Sequence, residues 1–489
     1  MKEFALSKKN SLLEDKPFGA ILKFSVPFIV GDFCQQLYNA VDSMIVGKFV
    51  GTQALASLGV ATPIMSLVIF LLVGFGMGTG VVVSQYYGRG ENEKIKRIAS
   101  TGLIVGVIFT LILTVFSIGL SKPFLTLLRT PANLVADTDI YLKIIFAGTI
   151  FTFIYNFYCY SIRSIGNSVM PLVFLLVAVA LNAALDLVFV LVFDWGVVGV
   201  AVATVISQFF SALLCVIYTQ KKISILRLGV KDCVIDKKYI KPVISYSSAL
   251  ALQQVYIYIG RIAVQGLVNG YGENVIAGVN VANKLDSLFE TPIRGYTNAL
   301  TTYNAQNFGM NNMQRIKKGY LCSWVMVIAN AVFTLVIGLL LSKQLVSLFV
   351  GEGQSEVIEI GARFFSTMVW GYLFLGLIVQ SQALFKGTGR LAAFFGSTLM
   401  SISCRVIFSY LFDYLWGMEG MFWAVTCSWI AGGMYGIIMS VVFVVKKFKL
   451  APNEKLTAVV GEKENGFVVE QDETIATSEN IQNDLNEKK

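Results

Sequence analysis

The chain has 489 residues, of which 55% are hydrophobic and only 14% are charged, whereas soluble domains carry about 25% charged residues. This composition excludes an ordinary soluble fold, and the absence of histidine excludes metal centres, catalytic triads and pH switches built on imidazole. The net charge of +9 is typical, in so apolar a chain, of loops that face anionic lipid rather than of nucleic-acid binding.

Twelve segments are long and apolar enough to span a membrane as helices, because a bilayer core of about 30 Å requires about 20 apolar residues. In chain order they are 18–41, 49–88, 98–121, 144–162, 164–185, 195–220, 242–260, 295–314, 319–342, 364–385, 391–412 and 420–445. Charged residues interrupt only the first and the eleventh. The eighth is rich in Asn and Thr, and we expect its helix to begin upstream, near residue 275. The sequence therefore predicts an all-α polytopic membrane protein.

Basic residues concentrate in alternate loops, at 89–97, 221–227, 315–318 and 446–447, and again within the first 16 residues. Because cytoplasmic loops carry an excess of Lys and Arg, these loops and both termini are predicted to lie in the cytoplasm. We accordingly expect a multi-pass protein of the plasma (inner) membrane, embedded in the lipid bilayer.

An internal repeat appears when the chain is aligned with itself at an offset of about 220 residues. Residues 84–88 (SQYYG) match 305–309 (AQNFG), and 163–166 (RSIG) match 386–389 (KGTG). Each half holds six helices, an even number, so both halves have the same orientation, and such parallel repeats form the two lobes of alternating-access transporters. The predicted segments are a cytoplasmic N-terminus (1–16), an N-lobe (17–220), a cytoplasmic linker (221–240), a C-lobe (241–447) and a disordered acidic cytoplasmic tail (448–489).

Polar residues recur along one face of the first predicted helix. Asp32, Gln35 or Gln36, Asn39 and Asp42 follow one another at steps of three or four residues, which places them on a single stripe directed away from lipid. The alternative is that Asp42 only marks the solvated outer end of this helix.

The fifth helix adds Asn182 and Asp186, four residues apart and therefore on one face. An ionisable group inside a membrane is costly, so each one is a functional hypothesis. A buried carboxylate can hold either a proton or a metal cation near neutral pH, as an ion-coupled antiporter requires. The alternative is a structural ion pair between Asp186 and Arg163.

In the second half, the repeat aligns Arg261 with Asp42 and Arg405 with Asp186. We hypothesise that the C-lobe contains fixed positive charges and has no share in cation coupling; a coincidence of register is the alternative.

Within the C-lobe, Arg261 or Arg294 is expected to form an ion pair with Asp286 or Glu290. A substrate cleft is expected between the lobes. The residues assigned to this cleft are Gln35, Gln36, Asn39, Asn156, Arg163, Arg261, Glu290 and Arg405.

Two short motifs carry a resemblance to a known family. Residues 41–47 (VDSMIVG), followed by Gly51 and 54–56 (ALA), and residues 181–186 (LNAALD) resemble the first-helix and fifth-helix motifs of the multidrug and toxic compound extrusion (MATE) family. The similarity covers residues 17–447. It implies a cation-coupled antiporter, with neither enzymatic activity nor a cofactor, that expels organic cations through a cleft between two lobes in exchange for protons or sodium.

The resemblance also implies a cation site in the N-lobe. In the branch of the family that uses this site, a first-helix Asp, a fifth-helix Asn and Asp, and a sixth-helix Thr form it; Asp42, Asn182, Asp186 and Thr204 match them here. A proton or a sodium ion would bind at the two aspartates. Pro27 matches the proline at which the first helix is proposed to bend. The acidic C-lobe residues of another branch are missing, so we expect the N-lobe site alone.

The expected function is multidrug efflux of drug-like small molecules by a monomer that binds no nucleic acid. The alternative is a lipid-linked oligosaccharide flippase of the same broad superfamily, whose cleft would need cationic residues for a pyrophosphate; the paired N-lobe acids argue against it. An intramembrane enzyme is disfavoured because the sequence has no histidine and no GxGD signature. A receptor or channel is disfavoured by the two-lobe repeat.

Overall fold

The computed structural model describes three stretches of the chain: 11–128, 130–350 and 353–449. Within them the chain is helical and forms no β-strand. The predicted acidic tail lies outside the described residues from position 450 onward, as do the first ten residues of the predicted N-terminal segment.

Fourteen α-helices follow one another along the described chain. They are α1 (Ser11–Glu14), α2 (Pro17–Ile45), α3 (Thr52–Gly88), α4 (Asn92–Leu127), α5 (Ala132–Ala147), α6 (Thr149–Ser164), α7 (Val169–Leu187), α8 (Gly196–Lys222), α9 (Lys237–Asn269), α10 (Glu273–Gly309), α11 (Met313–Ser347), α12 (Ser355–Met368), α13 (Tyr372–Gly387) and α14 (Leu391–Lys449). Helices α2 and α7 continue into π-helical segments, Val46–Val50 and Val188–Val192, and 3₁₀ turns occur at Ser224–Leu226, Val230–Asp232 and Val369–Gly371.

The described helices group into twelve segments, six in each half, that correspond to the twelve predicted membrane spans. Eight are long and apolar enough by themselves, and a ninth consists of α5 and α6, which are bent by 45° to one another. Helices α9 and α10 have 33 and 37 residues but are more polar. Helix α14 is two helices that meet at Gly417, where φ is 64° and ψ is −150°. Helix α10 begins at Glu273, so the expected upstream start of the eighth helix is confirmed.

The repeat is visible in the fourth span of each half, which is broken in both. The break lies at Gly148 between α5 and α6, and at Val369–Gly371 between α12 and α13. A Cβ on Gly148 would lie 2.6 Å from the side chain of Val205, and one on Gly371 would lie 2.5 Å from the ring of Trp429. In both halves the break therefore packs directly against a bulky side chain of the sixth span. The six spans from α2 to α8 make up the first half of the repeat and those from α9 to α14 the second, and we refer to these halves as the first and second lobes.

The lobes meet where α2 contacts α10 and where α3 contacts both α9 and α10. One close approach is between α3 and α9, where a Cβ on Gly78 would lie 2.5 Å from the backbone of Ser247. The Ser247 hydroxyl donates to the carbonyl oxygen of Phe75 at 3.0 Å. Small residues thus allow two backbones to pack closely, as is common between membrane helices.

At the end that carries the basic loops, the lobes are joined by repeat-related hydrogen bonds. Gln85 Nε2 donates to the carbonyl oxygen of Gly387 at 2.9 Å, and Gln306 Nε2 donates to the carbonyl oxygen of Ser164 at 2.7 Å. The two glutamines occupy equivalent positions in the repeat, and so do Ser164 and Gly387. The two bonds therefore form one symmetric contact.

Two glycines bring the helices together beside this contact. A Cβ on Gly88 would lie 1.9 Å from the carbonyl oxygen of Gln306, and a Cβ on Gly309 would lie 1.9 Å from that of Gln85. No side chain fits between α3 and α10 here. This end of the interface between the lobes is therefore closed.

Candidate functional site

The first lobe brings together the four residues that the resemblance assigns to a cation site, named here the acid cluster: Asp42 of α2, Asn182 and Asp186 of α7, and Thr204 of α8. Asn182 and Asp186 are 2% and 0% exposed. The side chains of Asp42 and Asp186 are close enough for their carboxyl groups to interact directly. Two carboxyl groups can lie this close only if they share a proton or a cation lies between them.

The side-chain amide of Asn182 orients the acid cluster. With its nitrogen directed at Asp186, it donates to Oδ2 at 2.9 Å and to the hydroxyl of Tyr38 at 3.2 Å, while its oxygen accepts from the backbone N–H of Thr204 at 3.2 Å. The hydroxyl of Thr204 lies 3.4 Å from the same amide and donates to the carbonyl oxygen of Val200 at 3.0 Å. Three spans are therefore linked through one amide.

One oxygen of each carboxyl group, Oδ1 of Asp42 and Oδ1 of Asp186, is buried and accepts no hydrogen bond within the described part of the chain. A buried polar atom without a partner is costly, and a proton or a hard cation would remove that cost. The acid cluster offers oxygen atoms, the ligands that such cations prefer. Within the described ranges, no group of three or more Cys, Asp or Glu side chains could hold a metal ion.

Both helices that carry an aspartate of the acid cluster change from α-helix to π-helix directly after it. The N–H of Gly51 donates to the carbonyl oxygen of Val46 at 3.0 Å, and that of Phe193 donates to the carbonyl oxygen of Val188 at 3.2 Å, which is the hydrogen-bond pattern of a π-helix. Such segments are frequent at functional sites. The two segments also contact each other, so α2 and α7 are in direct contact just beyond their aspartates.

Some residues expected along the substrate cleft contact the other lobe, and others form hydrogen bonds only within their own helix. Gln36 Nε2 reaches the second lobe and donates to the hydroxyl of Thr291 at 2.8 Å. Gln35 Nε2 lies 3.4 Å from Asn39 Oδ1 on its own helix. Asn156 Nδ2 donates to the carbonyl oxygen four residues upstream at 2.8 Å. Gln36 therefore bridges the lobes, whereas Gln35 and Asn156 bond within their own helices.

Arg163 lies between the lobes and not beside Asp186. Its guanidinium group stacks on the ring of Phe28 at 4.5 Å and lies 5.4 Å from that of Tyr160. It lines a cavity that the second lobe closes with Thr301 and its neighbours. Among the described side chains, no ion pair joins Arg163 to Asp186, so the alternative interpretation of Asp186 is not supported.

Of the expected C-lobe ion pairs, one is formed. Arg294 Nη2 lies 3.0 Å from Glu290 Oε2. Asp286 accepts from the hydroxyl of Tyr372 at 2.7 Å instead of pairing with Arg261. The charge of Glu290 is therefore neutralised by Arg294 of the same helix.

Pro27 lies inside α2 and is buried. A proline in a helix removes one backbone hydrogen bond and so supplies a place for a bend; its role as a hinge remains a prediction.

Two tyrosines near the charged groups were not predicted. Tyr38 lies four residues before Asp42, and that spacing alone places it on the same face. Tyr372 reaches Asp286 from a helix distant in sequence, and no local pattern indicates such a contact.

The chain is similar to known proteins over most of its length. The MatE family model matches residues 27–188 and 249–411, one match in each half. The probable multidrug resistance protein YpnP of Bacillus subtilis is 27% identical over 433 residues, which cover 86% of this chain and 93% of that protein. The multidrug export protein MepA of Staphylococcus aureus is 24% identical over 418 residues, which cover 83% and 90%.

Solved structures share the fold. A MOP superfamily transporter from Pyrococcus furiosus has a TM-score of 0.85 at 21% identity, covering 90% of this chain and 99% of that one. A multidrug resistance MATE family transporter in an outward-facing conformation has a TM-score of 0.85 at 20% identity, with the same coverage.

Proposed function

Because the chain belongs to the MatE family, we propose that this multi-pass membrane transporter expels amphipathic or cationic organic compounds in exchange for protons or sodium ions. The family and the multidrug names of its relatives support a multidrug efflux transporter and not an enzyme. The observation that supports the exchange mechanism is the acid cluster, where two carboxyl groups interact directly and each keeps one buried oxygen without a donor.

The charge of the acid cluster decides which ligand binds. When the coupling ion leaves, two like charges remain side by side; two unit charges about 4 Å apart repel by about 4 kcal/mol at an effective dielectric constant of about 20. A change of about 5.5 kcal/mol takes a two-state equilibrium from 1:99 to 99:1. Separation of Asp42 from Asp186 would move α2, which also carries Gln36 and its contact with the second lobe. Binding of an organic cation and binding of the coupling ion therefore oppose each other.

Alternating access follows from movement of the two lobes, which we assign to residues 17–220 and 241–447, joined by the linker 221–240. The closed end carries the basic loops, and we propose that it is cytoplasmic, with both termini on that side of the plasma membrane. Opening this end would break the contacts of Gln85 and Gln306. One chain contains both lobes and the acid cluster, so we propose that a monomer suffices.

Dye efflux tests the proposal. Everted vesicles containing the full chain, given ethidium on the outside and an imposed proton or sodium gradient, should accumulate the dye, and Asp42→Asn and Asp186→Asn should abolish the gradient dependence while the protein stays in the membrane. The matched control is Asp194→Asn, because Asp194 is exposed in the α7–α8 turn and has a φ of 53° that Asn tolerates. Gradient-driven efflux that persists in both acid-cluster variants would contradict the mechanism. Nothing in the family or its named relatives favours the flippase alternative.

A further inference from the structure

The second lobe contains a cavity of about 160 Å³ whose polar lining comes from three helices. The polar residues that line it are Arg261 and Gln265 of α9, Asn283, Asp286 and Ser287 of α10, and Arg405 of α14. The volume is roughly ten times the about 15 Å³ of such space that one water molecule requires. The cavity, named here the arginine cavity, can therefore hold a small polar group of a ligand.

The arginine cavity has more positive than negative charge. Its single carboxylate, Asp286, already accepts a hydrogen bond from Tyr372, which is fully buried. The nearest other acid, Glu290, is paired with Arg294 at 3.0 Å. Two guanidinium groups thus share one carboxylate that a tyrosine already engages.

Neither arginine of the cavity has an ionic partner within 4.0 Å in the described part of the chain. Nε of Arg405 is buried and donates no hydrogen bond there. A buried guanidinium donor without an acceptor is costly, and a ligand anion would remove that cost. Guanidinium groups match the planar geometry of carboxylate and phosphate oxygens, which they bind with two parallel hydrogen bonds.

We propose that Arg261 and Arg405 form an anion subsite that binds the carboxylate of a zwitterionic or anionic organic substrate. The inference rests on the proposed function for the substrate's passage, but the subsite itself is a binding site whatever drives transport. The first lobe then receives the cationic part or the coupling ion, and the second lobe receives the anionic part. Gln265, Asn283 and Ser287 supply further hydrogen-bonding groups around the carboxylate.

A pair of dyes that differ only in the carboxylate tests this assignment. Tetramethylrhodamine is a zwitterion with a free carboxylate, and its methyl ester is a cation without one. With the full chain in phosphatidylcholine nanodiscs, Arg261→Gln and Arg405→Gln should each weaken binding of the free acid about tenfold or more, as expected for hydrogen bonds to a charged group. Binding of the ester should change less than twofold. Equal losses for both dyes, or no loss for the acid, would overturn the proposal.

A matched control variant and a second measurement distinguish a loss of ligand binding from a loss of folding. Arg363→Gln removes an arginine of the same lobe that lies outside the cavity and is paired with Glu359 and Glu419, both at 2.9 Å. This variant should change the binding of neither dye. Benzoate at millimolar concentration should raise the thermal unfolding temperature of the wild type and of Arg363→Gln, but not of Arg405→Gln. Absence of any benzoate effect in the wild type would overturn the subsite.

Two further measurements distinguish a lipid phosphate from a substrate carboxylate in the cavity, and a failure of the proposed antiport from a failure of the anion subsite. If phosphatidylglycerol in the nanodiscs abolishes the benzoate effect, a lipid phosphate occupies the cavity and the substrate assignment is wrong; an unchanged effect supports it. Asp186→Asn should keep the benzoate effect. If gradient-driven efflux fails in the wild type while the effect of benzoate still depends on Arg405, the proposed antiport is wrong and the anion subsite stands.

Discussion

A single methyl group at the closed end of the interface should change the balance between the states of the transporter. In Gly88→Ala, the new Cβ would lie 1.9 Å from the carbonyl oxygen of Gln306, whereas carbon and oxygen atoms in close contact are about 3.3 Å apart. Helices α3 and α10 would have to separate by about 1.4 Å. Because the obstructing atom belongs to the backbone, no side-chain rotation relieves the clash.

The energetic cost follows from the packing. Overpacking of this kind costs about 1–3 kcal/mol, and separation of the helices also weakens the hydrogen bonds from Gln85 and Gln306, worth about 1 kcal/mol each. The lower end of this sum, about 3 kcal/mol, corresponds to at least a hundredfold shift of the equilibrium away from the closed arrangement. The clash exists only when this end is closed, so the variant can still fold in the open state.

Pulsed EPR on purified protein measures this shift. Spin labels at Glu93 of α4 and Gln314 of α11, both exposed, report the distance between the lobes at this end. Gly88→Ala should raise the population with the longer distance, and Gly309→Ala should do the same. Gly59→Ala on the same helix α3 is the control, because nothing lies within 4 Å of a Cβ there. An unchanged distance distribution in Gly88→Ala would refute the assignment of this contact as the gate.

Three further predictions concern the charged groups. Asn182→Ala should weaken the apparent affinity for the coupling ion about tenfold, since Asp186 loses a hydrogen bond worth about 1–3 kcal/mol; ion titration of dye efflux measures this, and an unaltered midpoint would contradict it. Tyr372→Phe should lower the free energy of unfolding by about 1 kcal/mol in thermal unfolding, because Asp286 loses its donor; equal stability would show that this bond contributes nothing. Asp42→Asn should flatten the pH dependence of efflux, because the chain has no histidine; an unchanged pH profile would assign the titration elsewhere.

The sequence predicts most of the fold because ten of the twelve predicted spans leave a long run without charge, and only a few charges interrupt the first and the eleventh. The exception is the first half of α10, where Asp286, Glu290 and Arg294 interrupt any such run. These groups are satisfied inside the second lobe, by Tyr372 and by the pairing of Glu290 with Arg294. A criterion based on charge-free runs therefore finds only the part of this helix after residue 294.

The acid cluster could be anticipated in part. The four-residue spacing of Asn182 and Asp186 places both on one face of α7, but only the resemblance connected them to Asp42 and Thr204. The role of Asn182 as the link between three spans depends on the packing of α2, α7 and α8, which no local pattern specifies. The absence of an ion pair between Arg163 and Asp186 likewise depends on where α6 lies.

Competition between substrate and coupling ion is the central claim, and ion release from purified protein tests it most directly. Ethidium added to the wild type in weakly buffered detergent solution should release protons, or displace bound radioactive sodium, in proportion to the dye that binds. Asp186→Asn should release neither, while Asp194→Asn should behave like the wild type. Ethidium binding to the wild type without release of either ion would contradict the account.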